Sequence, residues 1–372
     1  MSVPDNTLWK LQDHTKAKHQ ILKAYLVAWI PILSTNNDRI VYLDGFSGPG
    51  QYKQGEPGSP IIALQTSLEH TEYINEMTFI FIEEREDRLE HLGGLIHDML
   101  LPEKFNVNLV HGQYETNIEQ VLNQLERDNL NLAPTFAFVD PFGFEGVPMG
   151  LNHRILSHSK TEVFVNFSTN SVNRFIEHQN QNIRNEIQRL IGVDLNTIDL
   201  ESSPRFPIIR DAYREGLEQA AAHVRSFEMY DEEHRPIYDL YFAGNHRLGH
   251  QKMKIAMWDV DPTGGFQFSD ATDPDQLVLF SDDPEPQLLP QILDQFTGRS
   301  EVIVREIKNW TVEETPFLVK HMKGALRQGE EDGAFYVYAE KVSGETRRRG
   351  TFPEDAIIDF THQVGSQESL AF

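Results

Sequence analysis

The chain has 372 residues, and its 33 Lys and Arg residues are outnumbered by 57 Asp and Glu residues, which gives a formal net charge of −24. A surplus of this size repels polyanions at long range, so any contact with nucleic acid must be local. Cysteine is absent, which excludes disulfides, thiolate zinc sites, iron–sulfur clusters and cysteine nucleophiles supplied by this chain. The length favours one large domain followed by a smaller one.

The sequence also lacks the apolar segments that direct proteins to membranes. Its first residues contain no signal-peptide apolar region, and no window reaches the roughly 18 apolar residues of a membrane-spanning helix. We therefore expect a soluble, cytoplasmic protein that makes no membrane contact.

A helix and a strand lead into a glycine-rich loop. Apolar residues recur at helical spacing over 14–33, which predicts an amphipathic helix. The short apolar run Arg39–Leu43 predicts a buried parallel strand. It ends on Asp44 and the loop, after which Ser59 and Pro60 supply the N-cap and the first-turn proline of the next helix.

Strands and helices then alternate along the chain. Four further strands are predicted, at Met77–Ile82, Asn106–Val110, Thr135–Val139 and Glu162–Phe167. Helices are predicted at Arg85–Met99 and Thr116–Arg127. This alternation predicts an α/β fold with a doubly wound, mostly parallel sheet.

A polar stretch at about 173–230 interrupts this pattern and predicts a helical insertion, with helices at 182–191 and 209–225. Three elements are predicted after it: a strand at 237–243, a helix at 251–258 and an edge strand at 266–269. The first domain is therefore predicted to span residues 1–270.

An acidic, proline-rich stretch at 271–290 predicts a solvated linker, within which the apolar run at 277–280 offers a docking segment. The predicted second domain, 291–372, follows. Helices are predicted near 288–296, 300–309 and 315–328, and strands at 334–340 and 347–352. Three helices and a hairpin predict a winged-helix domain.

Basic side chains in this domain predict a contact with a phosphate backbone. Lys320, Lys323 and Arg327 share one face of the third helix at spacings of three and four. The run Arg347, Arg348 and Arg349 lies in the predicted hairpin. An ordinary solvated charged face explains the same pattern, so both interpretations stay open.

The loop after the first strand predicts a nucleotide site. Its candidate cofactor-binding residues are Asp44, Gly45, Phe46, Gly48 and Gly50. Glycine lets the backbone adopt positive φ and approach a ligand closely. An acid suits a ligand with amino and hydroxyl groups, and the Gly-Lys-Ser/Thr signature of phosphate loops is absent. S-adenosylmethionine (SAM) therefore fits better than a dinucleotide, and a tight strand-to-helix turn is the alternative.

Polar residues follow the next two strands. Glu83 ends the second strand, where a carboxylate can accept hydrogen bonds from both ribose hydroxyls. Gln113 follows the third strand and is a candidate for reading the adenine edge. The alternatives are an ordinary exposed acid and a solvated glutamine.

Carboxylates are also ligands of divalent metals. A divalent-metal nuclease site built from Asp44, Glu83 and Asp140 is a further hypothesis, although three different strand ends suit cofactor binding better. No His-Glu-x-x-His or similar helix spacing occurs among the 15 histidines, so we predict no structural metal.

The fourth strand ends in Asp140, Pro141 and Phe142, which are the candidate catalytic residues. This run resembles the Asp-Pro-Pro-Tyr motif of amino-directed methyltransferases. There the acid and a proline carbonyl align an exocyclic amine and an aromatic ring stacks on the base. Phe142 and Gly143 replace the second proline and the tyrosine, which leaves open both the target amine and the stacking. A strand-terminating Asp-Pro turn is the alternative.

Taken together, these motifs resemble the three-Cys-motif partner (TcmP) family, methyltransferase-like proteins of bacterial mobile and defence loci. The matching segments are 14–18 with Leu22, Tyr25 and Trp29, then 44–50, 58–60, 81–83, 140–143, 166–167, 173–174 and 246–249 with Met253 and Trp258. The resemblance implies a Rossmann-like class I methyltransferase fold and a partner, the neighbouring radical-SAM-like protein with three cysteines. The C-terminal domain resembles the winged helices attached to such proteins.

Three function classes follow from these patterns. The leading one is a SAM-dependent methyltransferase that acts on nucleic acid or a modified nucleotide. The second is a catalytically silent partner that binds nucleic acid through the winged helix. The third is the metal-dependent nuclease.

Overall fold

The computed structural model describes residues 5–200, 204–262, 265–271 and 284–361. These residues fall into two compact units. The first lies within Met1–Asp261 and Phe266–Asp275, and the second within Pro262–Gly265 and Gln276–Phe372.

An eight-stranded sheet forms the centre of the first unit. Its strands are β1 Arg39–Asp44, β2 Glu76–Glu83, β3 Phe105–His111, β4 Thr135–Val139, β5 Thr161–Phe167, β6 His223–Tyr230, β7 Pro236–Gly244 and β8 Gln267–Ser269. The order is β3-β2-β1-β4-β5-β7-β6-β8, and β7 runs antiparallel to both of its neighbours while the other pairs are parallel. This mostly parallel sheet confirms the α/β, Rossmann-like part of the predicted fold class, whereas the winged-helix part stays a prediction. The strand order reverses between β1 and β4, where open α/β sheets bind their ligands.

Nine α-helices of the first unit are described. They are α1 Asp13–Ser34, α2 Ser59–Glu69, α3 Glu86–His97, α4 Tyr114–Arg127, α5 Met149–Leu156, α6 Thr169–Phe175, α7 Gln181–Ile191, α8 Arg205–Glu218 and α9 Arg247–Val260. Short 3-10 turns occur at Thr71–Tyr73 and Leu195–Thr197.

Helices cover both faces of the sheet because successive strand residues point to opposite sides. On β1, Tyr42 packs into a core shared with α1, α2 and α9, whereas Leu43 packs into a second core shared with α4, α5 and α8. Both residues are buried. Apolar residues on both faces explain why the strands read as continuous apolar runs.

The predicted insertion is shorter in the structure. The helix predicted over 209–225 ends at Glu218, and the chain then enters β6, His223–Tyr230. Alternating inward residues such as Phe227 and Met229 pack in the core, so strand periodicity prevails over the polar composition. The structure also adds α5, which was not predicted.

The second unit has the element order α-β-α-α-β-β. Its elements are α10 Pro284–Phe296, β9 Val302–Ile303, α11 Val304–Glu314, α12 Val319–Glu331, β10 Tyr336–Val337 and β11 Ile357–Asp359. The three strands form an antiparallel sheet with β11 in the middle. Leu326 and Ile358 are among its buried apolar residues.

Two predictions in this unit change. The strand predicted at 347–352 is not formed, because β10 pairs with β11 at 357–359 and a single bridge, Glu340 to Thr346, closes the intervening loop. The helix α10 begins at Pro284, inside the predicted linker 271–290. The predicted docking run at 277–280 lies outside the described residues.

Across the part of the chain that the structure describes, no helix combines the length and apolar character needed to cross a bilayer.

Candidate functional site

Two cavities lie beyond the carboxyl ends of β1 to β4, at the point where the strand order reverses. The Asp140 cavity has a volume of about 530 Å³ and is lined by Asp140, Lys18 and the glycine loop. The Glu83 cavity has a volume of about 1180 Å³ and is lined by Glu83, Gln113 and parts of the insertion. Both are lined by Phe46 and by Pro141, Phe142 and Gly143. The cavities therefore meet at the residues predicted for the two halves of the site.

The glycine loop between β1 and α2 supplies the wall of the Asp140 cavity. Gly48 and Gly50 adopt φ of 61° and 76°, in the left-handed region that favours glycine. A Cβ on Gly50 would lie 2.6 Å from a Leu92 methyl group. The loop thus needs glycine both for its turn and for its packing against α3.

Asp44 lies beneath this loop. Its side chain is fully buried and lines neither cavity. One carboxylate oxygen accepts a hydrogen bond from the Phe46 amide at 3.3 Å, and the other lies 3.5 Å from the Tyr42 hydroxyl. Burial raises the pKa of Asp44 to about 7. In this structure Asp44 supports the loop from below, and its predicted ligand contact stays a prediction.

Gly45 and Phe46 follow directly. The Gly45 amide donates to the Phe138 carbonyl at 2.9 Å, which ties the loop to β4. A Cβ on Gly45 would lie 2.4 Å from the ring of Tyr114, so only glycine fits. The Phe46 ring packs against Tyr114, with ring centroids 5.4 Å apart.

Backbone amides hold Glu83 at the end of β2. Its two oxygens accept hydrogen bonds from the Gly48 and Arg85 amides, each at 2.9 Å. The side chain lines the Glu83 cavity. A carboxylate oxygen has two lone-pair positions, so each oxygen keeps one position for a further donor. Glu83 therefore links the glycine loop to β2 and still offers acceptors at the cavity.

Gln113 lies at the mouth of the same cavity, immediately before α4. Its side chain is exposed and donates a hydrogen bond to Glu84 at 3.0 Å. The structure thus brings Gln113 and Glu83 to neighbouring strand ends, where the sequence predicted them.

Side chains from two other elements hold Asp140. Lys18 of α1 forms an ion pair with one carboxylate oxygen. Asn166 of β5 donates a hydrogen bond to the other oxygen at 2.7 Å. The Lys18 side chain is 5% exposed and that of Asp140 is 20% exposed. Both oxygens of the predicted catalytic acid therefore already have a partner inside the protein.

Phe142 contacts an aromatic residue of the N-terminal segment. The Trp9 ring lies edge-on to Phe142, with centroids 5.5 Å apart, and edge-on to Tyr52 at 5.7 Å. The buried Arg88 guanidinium lies 4.8 Å from the Trp9 ring centroid and 5.7 Å from that of Phe142. The stacking of Phe142 on a base stays a prediction.

Sequence reasoning did not assign site roles to Trp9, Lys18, His19 and Asn166, all of which line the Asp140 cavity. A signal for Lys18 is present, because it lies four and seven residues before Leu22 and Tyr25 on the buried face of α1. A charged residue on such a face needs a buried partner. The sequence pattern near Lys18 does not identify that partner, because Asp140 lies 122 residues later in the chain.

The nuclease hypothesis needs three carboxylates at one ion. Within the described ranges, the oxygens of Asp44, Glu83 and Asp140 do not come together within 4.8 Å of one another. Glu83 and Asp140 instead bind protein groups. The structure gives this hypothesis no support.

The second unit carries most of the predicted basic face at its surface. Lys320, Lys323 and Arg327 of α12 are exposed, as are Arg348 and Arg349. Arg347 differs, because its side chain is 4% exposed and forms an ion pair with Glu330. Arg347 therefore holds the loop to α12 and does not belong to the exposed basic face.

No protein-family model matches the chain, and no curated protein sequence is similar to it. Solved structures with a similar fold include Trm1 from Pyrococcus horikoshii with S-adenosyl-L-methionine, at 12% identity and a TM-score of 0.35, covering 68% of this chain and 61% of that one. Human methyltransferase-like protein 13 in complex with SAH matches at 11% identity and a TM-score of 0.35, covering 71% and 97%. The O-methyltransferase from Bacillus cereus in complex with SAH matches at 12% identity and a TM-score of 0.33, covering 60% and 80%.

Proposed function

We propose that this protein is a SAM-dependent methyltransferase. The observation that carries the proposal is the pair of cavities that meet at Phe46 and Pro141–Gly143, beside the reversal of strand order. One cavity carries the groups suited to a nucleoside and the other carries Asp140. Methyl transfer needs such an arrangement, because the donor and the acceptor must be in contact where their binding sites meet.

The residues present fit SAM in their chemistry. Glu83 offers an acceptor position on each oxygen to the ribose hydroxyls, and the Gln113 amide can both donate and accept at an adenine edge. Phe46 and Phe142 supply apolar surface between the two cavities. When bound, SAM supplies a methyl group activated by its sulfonium. The protein contributes the orientation of the donor and the acceptor.

Calorimetry with SAM tests this proposal. We expect heat on titration of the wild type and at least a tenfold loss of affinity in Glu83→Ala, because the ribose hydroxyls lose both acceptors. Glu119→Ala is the matched control, since Glu119 is an exposed acid on α4 away from both cavities. Absence of binding to the wild type would contradict the proposal. Binding without methyl transfer to any cellular fraction would favour the catalytically silent partner.

We further propose that the acceptor is nucleic acid or a modified nucleotide, and that a three-Cys-motif radical-SAM-like protein acts with this chain in a bacterial mobile or defence locus. The family resemblance supports both statements. Purification of the tagged protein from its native host tests them. Recovery without such a protein and without methylated nucleotides would contradict them.

A second function is proposed for the C-terminal unit, namely nucleic-acid binding by a winged helix. Its α-β-α-α-β-β order and the exposed Lys320, Lys323 and Arg327 on α12 support it. Fluorescence anisotropy with a labelled duplex should show at least tenfold weaker binding when all three are changed to Ala, and a smaller dependence of affinity on salt. Arg305→Ala is the control, because that exposed side chain is paired with Glu354. Equal loss in the control would contradict a specific face.

A further inference from the structure

At the floor of the Asp140 cavity, Asp140 forms an ion pair with a lysine that lies outside the Asp140-Pro141-Phe142 motif. Lys18 places its ammonium on one oxygen of Asp140, and Asn166 donates to the other. Lys18 also lies 5.3 Å from the ring centroid of Tyr238. The acid of the motif is thus presented together with a cation.

Lys10 and His14 also line this cavity, but Lys18 is the cation paired with Asp140. The neighbouring His19 is buried, and burial together with the adjacent Lys18 lowers its pKa to about 3, so the ring is neutral at physiological pH. An ammonium has three N–H donors and no acceptor. One of them is used on Asp140, so Lys18 retains donor capacity beside the carboxylate.

An exocyclic amine is poorly matched to such a pair. Its two N–H groups need acceptors, while its lone pair must be directed at the methyl group and cannot accept from Lys18. Methylation of nitrogen also creates positive charge, and repulsion by the Lys18 ammonium offsets the stabilisation that Asp140 alone would give to that charge. The pair therefore opposes the amine chemistry suggested by the motif.

A hydroxyl can hydrogen-bond with both members of the Lys18–Asp140 pair. Its O–H can donate to the Asp140 carboxylate while its oxygen accepts from Lys18. We propose that Lys18 and Asp140 together select a hydroxyl oxygen as the methyl acceptor. This inference rests on the proposed methyltransferase function and names the acceptor class of that same site.

The reaction balances with the groups present. The hydroxyl oxygen gives a lone pair to the methyl carbon of the sulfonium donor, whose carbon–sulfur bond breaks and leaves its electron pair on sulfur. The acceptor proton passes to the Asp140 carboxylate and from there to solvent. Lys18 stabilises the negative charge that develops on oxygen, as fixed cations do in other sites.

A binding experiment tests the position of Lys18 without turnover. Sinefungin carries a primary amine where SAM carries its methyl group, whereas S-adenosylhomocysteine carries nothing there. We expect Lys18→Met to raise the affinity for sinefungin relative to S-adenosylhomocysteine about tenfold, and Asp140→Asn to lower that ratio about tenfold. Lys23→Met is the matched control, because Lys23 lies on the same helix and pairs with Glu69 in an exposed position.

The outcomes separate the two proposals. A ratio in Lys18→Met within twofold of the wild-type value overturns the inference alone. Failure of both analogues to bind the wild type overturns the methyltransferase proposal and the inference with it. If Lys18→Met does not fold, as judged by circular dichroism, Lys18→Gln and the Lys18→Met/Asp140→Asn double variant replace it.

The identity of the product gives the second readout. The full-length protein is incubated with labelled SAM and with RNA, DNA and small-molecule fractions of host cells, and the methylated products are identified by mass spectrometry. We expect O-methyl products, reduced at least 100-fold in Lys18→Met and in Asp140→Asn. Label in RNA or in the small-molecule fraction identifies the source of the hydroxyl. N-methyl products, or no label in any fraction, overturn the inference.

Discussion

Glu83 and Asp140 end strands that flank β1, yet the protein holds these two carboxylates in different ways. Glu83 receives two backbone amides, from Gly48 and Arg85. Asp140 receives the side chains of Lys18 and Asn166. A backbone amide N–H is kept in every substitution except that to proline, whereas an ammonium can be lost in a single mutation. The position of Glu83 is therefore fixed by backbone hydrogen bonds, whereas the position of Asp140 depends on the side chains of Lys18 and Asn166.

The largest effect should follow from breaking the ion pair. Lys18→Met leaves a largely buried carboxylate without its cation, so we expect the free energy of unfolding to fall by about 3 kcal/mol. The Lys18→Met/Asp140→Asn double variant should lose at least 1 kcal/mol less than the sum of the single variants. Urea unfolding of all four proteins measures this coupling. Additive losses would show that the two groups do not interact.

A third carboxylate, Glu162, differs from both Glu83 and Asp140, because its hydrogen-bond donor is a neutral side-chain hydroxyl. The Tyr25 hydroxyl donates to it at 2.6 Å, and burial raises its pKa to about 7. The folded protein then holds a proton that the unfolded chain releases near its ordinary pKa. The stabilisation from the protonated Glu162 is present below about pH 4.5 and is lost as the pH rises through about 7, a change of roughly 3 kcal/mol.

The pH dependence of Tm checks this expectation. Glu162→Gln should flatten the decline between pH 5 and 7, since Gln carries no charge to bury. The buried Asp44 and Asp239, whose pKa values burial raises to about 7 and about 6, will keep part of the slope. An unchanged slope in Glu162→Gln would mean that Glu162 does not titrate in this range.

Glu83→Gln should have a smaller effect on stability. Gln keeps one acceptor oxygen but turns an NH₂ group toward one of the two amides, which leaves that amide without its acceptor. We expect a loss of about 1–2 kcal/mol in the free energy of unfolding. Urea unfolding measures it. A loss as large as that of Lys18→Met would contradict the distinction between amide-held and cation-held carboxylates.

The smallest effect is expected at the exposed basic residues of the C-terminal unit. Arg348→Ala and Arg349→Ala should change the free energy of unfolding by less than about 0.5 kcal/mol, because both side chains are exposed. Thermal unfolding of each variant tests this. A larger loss would show that these arginines stabilise the loop, as Arg347 does through Glu330.

The sequence predicts the surroundings of Glu83 better than those of Asp140. The strands β1 to β5 and the glycine loop were predicted because their apolar runs and turn residues are local signals. The position of Glu83 at a strand end follows from such signals alone. The partner of Asp140 does not, because Lys18 lies 122 residues away and meets it only in the folded chain.

The errors have the same physical origin. The strand β6 was missed because its polar residues, such as Arg225 and Glu228, masked the inward-facing Phe227 and Met229. The strand β11 was missed because only three residues pair, after a loop whose composition resembles a hairpin. Pairing partners decide short strands, and these are not local properties.

The first helix has a consequence for synthesis. Two residues of α1 pair with residues far along the chain. Lys18 pairs with Asp140, 122 residues later, and His14 pairs with Asp270, 256 residues later. At roughly 5–20 residues per second, ribosomes need on the order of 10–50 s to cover such an interval. For roughly half of that time the Lys18 amine has no Asp140 to pair with, and for all of it the apolar face of the helix has no complete sheet to cover. Within the first unit, α1 is therefore synthesised before the sheet that it covers and gains its contact with Asp270 only after the last strand, β8, has been made.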